Sequence, residues 1–138
     1  MDEERRAKQL QGAAERFAHA IDQRNRWMKA MRTGGATYAT IAAAADMSVS
    51  GVHTLLRRQR SGPARGHQGS AEDETRRWGR RAREAAERRD ELLDALITDF
   101  EATHSDEHIA NIAGVAEMTI TYRRAHPHRQ RIASPNRP

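Results

Sequence analysis

Ser48, Ser50, Gly51 and Thr54 are small side chains standing around Val49 and His53, and Arg57, Arg58 and Arg60 follow within a few residues. On a helix, small side chains allow close approach to a surface, hydroxyls and imidazole hydrogen-bond to base edges, and arginines pair with phosphate or guanine. Thr37, at the head of the same segment, adds one more hydroxyl. The chemistry predicted is non-covalent recognition of double-stranded DNA, with no bond made or broken. A second set, Met118, Thr119, Thr121, Tyr122, Arg123 and Arg124, lies at an offset of 68 residues. It is preceded by Glu117, which phosphates repel, although a carboxylate can accept a hydrogen bond from cytosine.

The rest of the chain offers no reaction. There is no nucleophile elbow, no phosphate-binding glycine loop and no acidic cluster of the nuclease or recombinase kind. The absence of cysteine removes thiolate nucleophiles, disulfides and cysteine-ligated zinc. Neither an enzyme nor a cofactor is expected. His104 and His108 stand four apart, with His126 and His128 nearby, but no carboxylate is placed to orient them and no metal site is predicted. Asp90, Glu91 and Asp94 read as a solvated helix face, paired with Arg88 and Arg89 or with nothing in particular. Trp27 and Trp78 read as packing residues, because aromatic residues make up only 4% of the chain and single-strand binders stack bases on several.

Charge agrees with a polyanionic partner and divides unevenly. The formal net charge is +5, carried almost wholly by arginine; Met1 to Gly62 holds 11 basic and 6 acidic residues, whereas Ser70 to Pro138 holds 12 and 13. The N-terminal half is therefore expected to grip DNA harder. With 37% hydrophobic and 31% charged residues, any core must be lean, which suits two small cores or a homodimer. No apolar run approaches the ~20 residues that cross a bilayer, and no apolar stretch follows the charged start Met1 to Arg6. Neither a membrane partner nor secretion is expected; a cytoplasmic, nucleoid-associated protein is.

The elements that must position these residues are helices. Asp2 to Arg32 carries Leu10, Phe17, Ile21, Trp27, Met28 and Met31 among charges, an apolar stripe that Gly12 is expected to split or fray. Gly34-Gly35 should end it, since glycine adopts the left-handed conformation that follows helices. A short helix from about Thr37 to Ala45, a tight turn at Asp46-Met47-Ser48, and a helix capped by Ser48 and running to about Arg60 follow. The glycine, proline and serine around residues 62–70 predict a flexible linker. Ala71 to Thr103 predicts a long helix with Leu92, Leu93, Leu96, Ile97 and Phe100 as its apolar face, and Ser105 caps the next. Residues 127–138 should be a disordered tail.

An internal repeat organises these helices. At the offset of 68, Ile41-Ala42 falls on Ile109-Ala110, Ala45 on Ala113, Asp46 on Gly114, Met47 on Val115 and Val52 on Ile120. Two short helices crossing through a tight turn need a small residue at their contact, Ala42 or Ala110, and a turn residue that tolerates a left-handed conformation, Asp46 or Gly114. The second copy departs where Leu55 corresponds to Arg123.

With these residues in place, the segment Arg24 to Arg60 resembles the helix-turn-helix DNA-binding domains of bacterial regulators and resolvase-type recombinases, over about a quarter of the chain. The resemblance implies that the helix beginning at Ser48 is the recognition helix and that Ser48, Val49, Ser50, His53, Thr54 and Arg57 meet DNA. The predicted fold is all-α, two tandem helix-turn-helix units each with a long preceding helix: residues 1–61, the linker 62–70, and residues 71–126. The predicted function is a sequence-specific duplex DNA-binding protein, a transcriptional repressor that occupies an operator. Two alternatives stay open: a plasmid or phage accessory factor for partition, replication or recombination, and a helical oligomerising adaptor without DNA binding. The second copy either binds DNA or has turned to a protein partner.

Overall fold

The computed structural model describes residues 2–60, 62–65, 70–98 and 105–125. Its first element, α1, runs unbroken from Asp2 to Thr33. Gly12 lies inside it and neither splits nor frays it. A glycine in a helix interior costs about 1 kcal/mol relative to alanine, and here it is flanked by Leu10 and Ala13, both fully buried, whose packing outweighs that cost. Gly35, at φ 99°, ends the helix, with the Ala36 N–H returning to the Met31 carbonyl at 2.9 Å.

Five further helices follow: α2 (Tyr38–Ala45), α3 (Val49–Arg58), α4 (Ala71–Ile97), α5 (Asp106–Ala113) and α6 (Glu117–Ala125). The fold is all-helical, with no strand among the described residues. None of the described helices is long and apolar enough to cross a membrane. Ser61, residues 66–69, Phe100, His104, His126, His128 and the tail 127–138 lie outside the described residues. Ala64 donates its N–H to the Arg26 carbonyl at 3.0 Å.

Contacts divide the chain into two units, Arg16–Ala85 and Met1–Glu15 with Ala86–Pro138, so that α1 and α4 each give one half to either unit. In the first, Met28 and Met31 of α1 close on Ile41, Ala42, Ala44 and Ala45 of α2 and Val52 of α3. Tyr38, Met47, Leu55 and Leu56 pack at the margin of this core; Trp27 is only half-buried. Trp78 of α4 meets His19 of α1 edge-on at 5.5 Å, with the Arg81 guanidinium 4.8 Å from its ring. In the second unit, Leu10 and Ala13 of α1 join Leu92, Leu93, Leu96 and Ile97 of α4, Ile109, Ala110 and Ala113 of α5, and Ile120 of α6. The stripe along α1 therefore serves two cores.

Candidate nucleic-acid interface

Local chemistry builds the α2–α3 pair. Thr37 stands in extended backbone before α2, and its Oγ1 accepts the Thr40 N–H at 3.1 Å, satisfying one of the donors that a helix start leaves open. α2 ends at Asp46, whose φ of 58° and ψ of 49° are left-handed, and the Met47 N–H then reaches the Ala42 carbonyl at 3.0 Å. The Asp46 carboxylate pairs with Arg83 of α4. Ser48 caps α3, its Oγ accepting the Gly51 N–H at 2.9 Å. Gly51, expected only to allow close approach, has a local task as well. A Cβ there would stand 3.0 Å from Ser48 Oγ and 3.4 Å from Met47 Cε, crowding the cap.

Val52 is fully buried and holds α3 to the core, with Leu55 and Leu56 half-buried beside it. The opposite side of α3 is open: Ser48, Val49, Ser50, His53, Arg57 and Arg58 are exposed, as are Thr37 before α2 and Arg60 after α3. Gly51 and Thr54 are half-buried. Arg57 and Arg58 occupy the last turn, where the helix dipole favours cations. Among the described residues, no carboxylate lies within ion-pair distance of Arg57, Arg58 or Arg60. Arg24 differs: it is half-buried, bonds Asn25 Oδ1 at 3.0 Å, and burial holds its guanidinium below the ordinary value. His53 stacks on Tyr38 at 4.2 Å with 22° between the rings, and the Arg32 guanidinium lies 4.3 Å from the Tyr38 ring. Neither Tyr38 nor Arg32 stood out in the sequence.

The α5–α6 pair repeats the scaffold. Ser105 caps α5 through the His108 N–H at 3.1 Å, Gly114 takes the left-handed position at φ 72°, and the Val115 N–H reaches the Ala110 carbonyl at 3.0 Å, matching the Met47 bond. The outward residues differ. Ala116 stands where α3 has its capping serine. Met118 is 80% and Tyr122 45% exposed; Thr119, Thr121 and the preceding Glu117 are also exposed. The Arg123 side chain is only 9% exposed, its Nη1 2.7 Å from Asp94 Oδ1 and its Nη2 3.5 Å from Asp90 Oδ1. Arg124 Nε lies 2.7 Å from Asp106 Oδ1, and its Nη1 donates to the Ile97 carbonyl at 3.1 Å. Thr121 also donates to Asp106.

Asp90 and Asp94 thus do more than line a solvated face. Asp90 lies 3.5 Å from Arg89, as sequence suggested, but Asp90 and Asp94 also hold Arg123. The signal was the arginine at the position of Leu55: a cation forced toward a core needs counter-charges, and carboxylates four apart on α4 provide them.

Compared with known proteins, the chain matches no family model, no curated protein and no solved structure.

Proposed function

We propose that this chain binds duplex DNA sequence-specifically through the α2–α3 pair, working as a helix-turn-helix module, and that it represses transcription by occupying an operator. One observation carries the reading. The side of α3 turned away from the core joins short hydrogen-bonding groups, Ser48, Ser50 and His53, to arginines that have no carboxylate partner among the described residues. Such a face supplies both parts of DNA recognition, base-edge contact and phosphate anchoring. Repression by occupancy asks for nothing more than binding. The α5–α6 pair is a second helix-turn-helix in shape, but its arginines are engaged within the protein, so the main DNA contact is assigned to α3. Two chains would read two half-sites about one helical turn apart.

Selection on random duplexes followed by gel-shift titration at several salt concentrations tests this. Affinity for the selected sequence should fall steeply as salt rises, and His53→Ala should change which sequences are preferred. Undetectable or salt-insensitive binding by the unaltered protein overturns the reading and favours a helical adaptor.

A further inference from the structure

A cleft of about 420 Å³ opens beside α3, bounded by the last turns of α1 and the start of α2. Lys29, Arg32 and Thr33 line it from α1, Tyr38 from α2, and His53 and Arg57 from α3. Leu56 of α3 completes the lining; three of these seven residues are cations, and among the described residues none of the three has a carboxylate within ion-pair distance. The end of α1 contributes about half a negative charge, which three cations outweigh. Such a concavity concentrates anions.

Its groups are also held in place. Arg32 Nη1 donates to the Ala36 carbonyl at 3.0 Å while the guanidinium rests against the Tyr38 ring, leaving its other N–H groups to donate elsewhere. Tyr38 in turn stacks on His53, so the cation, the phenol and the imidazole form one connected group that reaches the outward face of α3. Guanidinium fixed in this way loses little freedom on pairing with an oxyanion.

We infer that this cleft seats a backbone phosphate of the same duplex whose bases α3 reads, and that Lys29 and Arg32 are phosphate-contacting residues. The inference rests on the DNA-binding reading and adds to it a second wall of contact, from α1. It also sets register: a phosphate held between α1 and α3 fixes how far His53 stands from the base edges.

The test is the salt dependence of binding by the full chain to its selected duplex. Each phosphate contact contributes about 0.9 to the slope of log affinity against log salt, or about eightfold in affinity at 0.1 M. The Lys29→Ala/Arg32→Ala variant should therefore bind about 60-fold more weakly at that salt, on every sequence alike, with a slope shallower by about 1.8. Thr33→Glu adds a carboxylate to the cleft without removing a packed side chain and should weaken binding in the same uniform way. Arg58→Ala, outside the cleft, reports on the underlying reading. If Arg58→Ala weakens binding while both cleft variants bind as the unaltered protein does, the cleft inference falls and the DNA reading stands. Weaker binding with an unchanged slope also overturns it, since that pattern marks damaged packing. No DNA binding by the unaltered protein overturns both.

Discussion

Replacing Arg57 and Arg123 singly by alanine should separate DNA binding from folding stability. Both arginines lie in the last turn of a short helix, yet one is exposed without a carboxylate partner and the other is 9% exposed between two aspartates. Removing an exposed, unpaired side chain changes stability by no more than about 0.5 kcal/mol, but under the DNA-binding proposal it deletes one phosphate contact, worth about eightfold in affinity at 0.1 M salt. Arg123 is the converse. Truncating one partner of a fully buried pair costs about 3–5 kcal/mol, and an exposed pair is worth about 0–1 kcal/mol. Here the arginine is enclosed while Asp94 is 45% and Asp90 27% exposed, so the carboxylates left behind are partly rescued by water. A cost of about 2 kcal/mol lies between those limits. At this chain length that lowers the melting temperature by about 8 °C. Thermal melts by far-UV circular dichroism, paired with gel shifts, read both effects. The reasoning is refuted if Arg123→Ala weakens DNA binding as much as Arg57→Ala and melts like the unaltered protein, because Arg123 would then have left its aspartates for phosphate.

Two further substitutions probe the scaffold. Gly114→Ala should destabilise by about 1 kcal/mol in urea unfolding although a Cβ there meets nothing within 4 Å, because the penalty lies in the left-handed backbone; Asp46→Gly at the equivalent turn should stay within about 0.5 kcal/mol, relief of strain offsetting the loss of an exposed pair with Arg83. Ser48→Ala leaves the Gly51 N–H without its acceptor and should cost about 1 kcal/mol of stability in the same assay.

What could be read from the sequence is what local chemistry decides. Ser48 and Ser105 as caps, Gly35 as a terminator, and left-handed backbone at Asp46 and Gly114 each depend on a residue and its near neighbours, and each is present. Ile41, Ala42, Ala45 and Val52 are buried, as are Ile109, Ala110, Ala113 and Ile120 at the offset of 68. What escaped was decided at a distance. Leu10 and Met28 lie on one helix and look like one stripe, yet they belong to different cores because partners far along the chain, Leu93 for one and Ile41 for the other, choose between them. Gly12 survives inside α1 for the same reason. The pairing of Arg123 with Asp90 and Asp94, and the stack of Tyr38 on His53, join residues whose meeting no periodicity announces.

The two helix pairs share a scaffold, so under the DNA-binding proposal it is charge pairing that favours α3. A cation already held by a carboxylate must surrender that contact before it meets a phosphate, and the exchange gains little. A cation without such a partner gains the full release of condensed counterions from DNA. Around α3 there are five of the second kind, Lys29, Arg32, Arg57, Arg58 and Arg60. Alone, these five contribute about −4.5 to the salt slope, at about 0.9 per phosphate. A measured slope near twice that value requires cations beyond these five, from a second chain or from elsewhere in this one, and light scattering of the complex tells the two apart; Arg123 and Arg124 join only by abandoning Asp94 and Asp106.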